Sequence, residues 1–164
     1  METNIIEEKE IRKIYKTIIF GYGRAGLAFV KAVKKENLSY LVVDYNPDTA
    51  KDMRGENINF KYGDADDIEF LNEIQFTKAK LIISTIPNIN TNLLLLSEYG
   101  KKNRTGDIII FAQNKREAER LYENGASYVI IPHYLGANHI SQILENAENG
   151  KYNFEKVKKI QSRL

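Results

Sequence analysis

The sequence predicts an α/β domain: a doubly wound parallel sheet of six strands, followed by a C-terminal helical extension. Three observations predict it. Six short apolar or β-branched runs alternate with helical patterns, which is how a chain builds a parallel sheet covered on both faces. The first run, Lys16-Thr-Ile-Ile-Phe20, passes through Gly21-Tyr22-Gly23-Arg24-Ala25-Gly26 straight into a helix. The second, Ser39-Tyr-Leu-Val-Val43, ends in Asp44, 18 residues beyond Gly26.

The glycines follow the pattern G-x-G-x-x-G, and each has a physical task. Gly21 permits the tight turn out of the strand, and Gly23 keeps no side chain between the backbone and a pyrophosphate. Gly26 lets the helix pack close against the strand. The first N–H groups of that helix have no intrahelical acceptor, so its N-terminus is ready to take an anion. Asp44 lies about where a dinucleotide fold places the carboxylate that accepts hydrogen bonds from the adenosine ribose. It also repels a ribose 2′-phosphate, and no Arg or Lys directly follows it, so NADP is disfavoured. The unit reads as Rossmann-like.

At 164 residues the chain fits one domain with a sizeable core. Lys and Arg number 24 against 22 Asp and Glu, so bulk charge points to neither nucleic acid nor an acidic substrate. Without cysteine there is no disulfide framework and no thiol chemistry, which fits a reducing cytoplasm. No signal peptide stands out, and no apolar run nears the ~18 residues of a membrane helix. The chain itself is expected to be soluble.

Taken in order, Asn4 to Tyr15 places Ile5, Ile11, Ile14 and Tyr15 on a thin helical stripe, expected as a lead-in helix or linker over residues 1–15. After the second strand, Pro47 stands near the first position of a short helix running to about Arg54. Asn57-Ile-Asn-Phe-Lys-Tyr62 alternates as a third strand. Asp66 or Asp67 is the expected N-cap of the helix through Leu71. Lys80-Leu-Ile-Ile-Ser-Thr85 reads as a buried fourth strand. A helix starting at Asn90 or Thr91 carries Leu93 to Leu96, four consecutive leucines that span nearly its whole circumference. Asp107-Ile-Ile-Ile-Phe-Ala112 is the fifth strand and Lys115 to Asn124 a helix stopped by Gly125. Ser127-Tyr-Val-Ile-Ile131 is the sixth strand, ended by Pro132. Beyond it, Ile140, Ile143, Leu144 and Ala147 form an amphipathic stripe. Glu148-Asn-Gly150 breaks it, and Val157, Ile160 and Leu164 continue a second stripe to the end.

Ligands of parallel sheets bind beyond the carboxyl ends of the strands. Those ends hold Gly21 to Gly26, Asp44, Asp64, Ser84-Thr85, Gln113-Asn114 and His133. This is a binding edge without a catalytic set, since Ser84 lacks the context of a nucleophile elbow. His133 and His139, six apart, do not share a helical face for a metal as i, i+4 histidines do. Asp64, Asp66 and Asp67 read as loop and cap acids, so no metal site is expected. The aromatics lie scattered without basic interleaving, which argues against a nucleic-acid surface.

Ile19-Phe-Gly-Tyr-Gly-Arg-Ala-Gly26, Val43-Asp44, Tyr62-Gly-Asp-Ala-Asp66 and Leu81-Ile-Ile-Ser-Thr-Ile-Pro87 resemble the N-terminal regulator-of-potassium-conductance (RCK) domain, also called the Trk-type NAD-binding domain. Glu123-Asn-Gly-Ala-Ser-Tyr-Val-Ile-Ile-Pro-His-Tyr-Leu-Gly136 is most similar to the version in Kef-type cation:proton antiporters. The resemblance covers about residues 16–147. It implies a cytoplasmic regulatory domain at the inner face of the cell membrane, acting on a potassium channel or membrane cation transporter. It further implies NAD(H), AMP, ADP or ATP in the glycine-loop cleft. Carried over by position, Gly21, Gly23 and Gly26 with Arg24 and Ala25 would hold phosphates and Asp44 the ribose. Asp64-Ala65 would edge the adenine and Thr85 would sit over the cleft, with Tyr22, Tyr45 and Ile86 completing the implied set.

The resemblance divides the chain into a linker (1–15), a Rossmann-type domain (16–136) and C-terminal helices (137–164). In that family the last segment crosses to a neighbouring subunit, so a homodimer or higher oligomer is expected. No membrane part and no second ligand domain follows, which leaves an excised domain or a stand-alone subunit. The competing reading is a small NAD-dependent oxidoreductase. It lacks a substrate domain, because only about 30 residues follow the sixth strand, and it lacks an acid–base residue. A non-enzymatic role is therefore expected.

Overall fold

In the computed structural model, which describes residues 13–23, 25–102, 105–147, 151–152 and 154–162, the expected sheet is present. Its strands are β1 (Thr17–Phe20), β2 (Tyr40–Asp44), β3 (Phe60–Tyr62), β4 (Leu81–Ser84), β5 (Asp107–Phe111) and β6 (Tyr128–Ile130). All pairings are parallel, in the order β3-β2-β1-β4-β5-β6. β1 is central and wholly buried, with Ile18 level with Leu41 on one side and Ile82 on the other. The order reverses between β1 and β4, and a crevice opens at such a switch point.

The period of two along β1 divides the core. Ile19 faces α1 (Gly26–Lys35) and α2 (Pro47–Gly55), packing with Val30, Val33, Val42 and Met53. Ile18 and Phe20 face the other layer, made by α3 (Ile68–Glu73), a 3₁₀ turn (Phe76–Lys78), α4 (Ile89–Gly100) and α5 (Lys115–Glu123). There Phe76 meets Phe20 edge-on and tilts against Tyr99, at 6.1 and 5.5 Å between ring centroids. Tyr99 is fully buried, and its hydroxyl donates to Ala79 O at 2.6 Å.

Polar side chains fix four helix starts: Asn46 for α2, Asp67 for α3, Asn88 for α4 and Asn114 for α5 each accept a first-turn N–H. Of the two acids considered for α3, Asp67 is the cap. α4 begins at Ile89, earlier than Asn90 or Thr91, because Asn88 Oδ1 takes the N–H groups of both.

Three helices end alike. Leu38 N–H returns to Val33 O, Ile58 N–H to Met53 O and Ala126 N–H to Leu121 O. The residues just before these, Asn37, Asn57 and Gly125, have φ of 53°, 53° and 98°. This is the Schellman close. It corrects the third strand: Asn57 and Ile58 finish α2, and pairing starts only at Phe60. Strands four to six are likewise a residue or two shorter than expected.

The segment after β6 differs most. Pro132 stands at the first position of α6 (Pro132–Glu145), so the helix starts where the sequence suggested only a strand end. The expected boundary at 136/137 therefore falls inside a helix. α6 buries none of its residues. By contrast, Leu95 and Leu96 are buried in the core and Leu93 packs on it. Most of the leucine run is thus covered within the chain. α7 (Phe154–Gln161) follows, with the side chains of Val157 and Ile160, and Leu164, outside the described part. So are residues 148–150 and most of the lead-in segment, whose described residues 13–15 are not helical.

Candidate functional site

A cleft of about 970 Å³ opens beyond the carboxyl ends of β1, β2 and β4. That is the size of a nucleotide pocket. Of the expected residues, Gly21, Gly23, Asp44, Tyr45, Asp64, Ala65, Thr85 and Ile86 line it.

The glycine turn is held tightly. Gly21 has φ +88°, a conformation that favours glycine, and its N–H donates to Val43 O at 2.9 Å. Thr85 Oγ1 donates to Gly21 O at 3.0 Å, and a Cβ on Gly21 would lie 2.3 Å from that hydroxyl. A Cβ on Gly26 would lie 2.3 Å from Gly21 O, which is the close approach of helix to strand expected of the third glycine. At Gly23 a Cβ would meet nothing within 4 Å. Gly23 is therefore open to the cleft, and a side chain there would take space a ligand could use.

α1 differs from its neighbours at its start. Its N-cap, Ala25, offers no side-chain hydrogen bond, and no acid stands in the first turn. Ala25 thus leaves the first N–H groups of α1, at the positive end of the helix dipole, without a side-chain acceptor. Across from it, Asp44 is fixed by two backbone donors: Tyr22 N–H to Oδ2 and Asn46 N–H to Oδ1, both 2.9 Å. Each oxygen keeps a further lone pair for a ribose hydroxyl. The same carboxylate anchors the glycine loop, a role the spacing in the sequence does not announce.

Comparison with known proteins agrees with this geometry. The model of the TrkA-N domain family matches residues 17–132. The chain belongs to the TrkA-N family. Probable potassium channel protein 2 of Methanocaldococcus jannaschii is 28% identical over 129 residues, covering 77% of this chain and 38% of that protein. The Trk system potassium uptake protein TrkA homolog of Archaeoglobus fulgidus is 30% identical over 134 residues, covering 79% and 30%. The TrkA-N domain thus spans well under half the length of these relatives. Among solved structures, the TrkA-N domain of the inner membrane protein ybaL of Escherichia coli superimposes with a TM-score of 0.74, at 22% identity, covering 82% of this chain and 99% of that one. The AMP-bound Kef C-terminal domain of Shewanella denitrificans gives 0.68 at 18% identity, covering 90% of each. GsuK bound to ADP gives 0.68 at 25% identity, covering 80% and 34%.

Within this TrkA-N domain, several expected residues do not face the cleft. Ala25 and Gly26 act through the helix start and its packing. Arg24 lies outside the described residues. Tyr22 turns its ring into the α1–α2 core, 6% exposed, and its hydroxyl donates to Glu56 Oε2 at 3.2 Å. Only its backbone serves the loop. Burial first, and the Glu56 carboxylate second, raise this phenol above its ordinary value of 10.0. The fold therefore holds that proton more tightly than the unfolded chain does. The stability it contributes is complete below pH ~10 and is lost as pH rises through the raised value. Tyr22→Phe is expected to flatten the alkaline limb of stability against pH, measured by urea unfolding between about pH 9 and 11.

The remaining candidates resolve as structural groups. Ser84 is fully buried and donates to Asn92 Oδ1 at 2.6 Å. His133 and His139 are exposed on α6. Among the described residues no cluster of three or more His, Asp or Glu could hold a metal ion, and no helix is long and apolar enough to cross a membrane. Asp66 accepts from Thr91 Oγ1 at 3.0 Å. Thr91 also lines the cleft. In the sequence Thr91 stands only as a helix-start residue, and no local pattern marks its partner 25 positions away.

Proposed function

We propose that this domain is a nucleotide sensor that binds AMP or NAD(H) and regulates a potassium channel or a cation:proton antiporter from the cytoplasmic face of the membrane. The observation that carries the reading is a cleft lined by the acceptor Asp44 and the open Gly23, on the loop that leads into the uncapped start of α1. These residues suit a nucleotide: α1 and the glycine loop for phosphate, Asp44 for the ribose, and Asp64-Ala65 for the adenine edge. The AMP-bound and ADP-bound neighbours, and the potassium-transport relatives, support it.

The role is regulatory and not catalytic. The carboxylates of the described lining, Asp44, Asp64 and Asp66, are each engaged in hydrogen bonds within the domain, which suits holding a ligand and the loops around it. A bound nucleotide then acts by favouring one conformation, which requires different affinity for the two states. The domain works as a homodimer or larger assembly through α6, where Ile140 and Leu144 stand about half exposed among the described residues.

Titration calorimetry tests the ligand. AMP and NADH are expected to bind the wild type, and NADPH to bind less well than NADH. Asp44→Ala is expected to weaken NADH by roughly 1.5–3 kcal/mol, the scale of hydrogen bonds to a charged group. Equal binding by wild type and variant, or tighter NADPH than NADH, removes the ribose assignment. In the same samples, NADH offered to a panel of small carbonyl compounds is expected to stay unconsumed. Steady turnover would return the chain to the oxidoreductase class.

A further inference from the structure

α4 opens with Asn88-Ile-Asn-Thr-Asn92, and two of these polar side chains reach different walls of the cleft. Thr91, 5% exposed, donates its hydroxyl to Asp66 Oδ2 on the loop between β3 and α3. Asn92, 1% exposed, donates from Nδ2 to Ile86 O at 2.9 Å while accepting from Ser84. One helical turn therefore grips both the loop carrying Asp64-Ala65-Asp66 and the turn carrying Thr85-Ile86. Both line the cleft. Asp66 is held from a second side, since its N–H donates to Asp64 Oδ1 at 2.9 Å.

We propose that Thr91 is a positioning residue of the nucleotide cleft: through Asp66 it sets how far the β3–α3 loop stands from the β4–α4 turn, and so how well an adenosine moiety fits. The inference rests on the nucleotide reading above. Asp44, Asp64 and Asp66 bring three carboxylates to one cleft. Asp66 is itself exposed, so without the Thr91 hydroxyl its carboxylate takes water instead and is free to swing away from the other two carboxylates. The loop bearing Ala65 moves with it. Valine keeps the shape of Thr91 and removes the donor, whereas serine keeps the donor.

The test is a double-mutant cycle on the full chain with AMP as probe, repeated with NADH, and with urea midpoints measured in parallel. Thr91→Val is expected to weaken AMP roughly 5–10-fold, the scale of one ordinary hydrogen bond, while Thr91→Ser stays within about twofold of wild type. Asp66→Ala is expected to weaken binding too. Adding Thr91→Val to Asp66→Ala should then change nothing, because the route is already cut. The Thr91→Val loss is expected without a matching drop in the urea midpoint. Additive losses would mean that Thr91 meets the ligand directly, and wild-type affinity in Thr91→Val would mean that the bond is idle. Either result overturns the proposal while leaving the nucleotide reading intact. A wild type that binds neither AMP nor NADH is a different failure: it removes the nucleotide reading, and this proposal with it.

Discussion

Gly26→Ala is expected to cost the apo domain about 2–3 kcal/mol, whereas Gly23→Ala leaves its stability within ~0.5 kcal/mol and instead weakens nucleotide binding roughly tenfold or more. The two positions lie three residues apart in one motif, but their surroundings are opposite. A methyl group on Gly26 would lie 2.3 Å from Gly21 O and 3.1 Å from its carbonyl carbon. Those are backbone atoms of the turn, and they cannot swing aside as the end of a side chain can. Helix α1 must back off from β1, loosening the contacts of Val30 and Val33 with Ile19. The small helix-propensity gain of alanine over glycine, about 0.5–1 kcal/mol, offsets only part of this. Gly23 has no neighbour within 4 Å of its would-be Cβ, and its φ lies outside the left-handed range. Alanine there strains nothing in the free domain and occupies the space proposed for the phosphates. Losing one or two hydrogen bonds to a charged phosphate corresponds to an affinity loss of roughly tenfold or more. Urea unfolding and AMP calorimetry on both variants separate the two tasks. A stable Gly26→Ala, or a Gly23→Ala that binds AMP like wild type, reverses the assignment.

This motif was legible in the sequence because each glycine answers to a local constraint: a positive φ, a close approach or an open cradle. The sheet was legible for a similar reason, since strands buried on both faces read as continuous apolar runs. What the sequence concealed were features set by a side chain's direction or a distant partner. Tyr22 alternates away from the cleft into the α1–α2 core, and nothing in its neighbours announces Glu56, 34 residues on. Thr91 and Asp66 likewise meet only because α3 and α4 lie on one face of the sheet. Asn57-Ile58 looked like strand because an apolar residue after an asparagine fits a pleat as well as a helix close. The repeat of the same device at Glu36-Asn37-Leu38 and Glu56-Asn57-Ile58 is the signal that could have separated them.

Replacing Ile140 and Leu144 together by glutamate is expected to turn the proposed dimer into a monomer without unfolding it. On α6 these two side chains are 48% and 47% exposed, and Tyr134 and Leu135 on the same helix are more than half exposed. A 14-residue helix is about 21 Å long. It presents Ile140, Ile143 and Leu144 at positions that share a face, while Ala147 lies just past its end. Among the described residues none of this helix is fully buried and only Ile143 of its apolar face is part-covered, so that face gains little from folding. Packing it against a second copy recovers that hydrophobic contribution, at about 25 cal/mol per Å² of apolar area removed from water. A stable pair needs roughly 1,200–2,000 Å² in total, so α6 must be joined by flanking surface from each protomer. Two buried like charges per copy, meeting their symmetry mates, oppose such a contact strongly. Because both side chains already stand in solvent in the single chain, the monomer loses no core packing. Light scattering at micromolar concentration, with circular dichroism as the folding control, is the measurement. A folded monomer from the variant beside a dimeric wild type is the expected pair of results. A monomeric wild type, or a variant that stays dimeric with both glutamates in place, would put the contact elsewhere and leave α6 to be covered by another part of a longer protein.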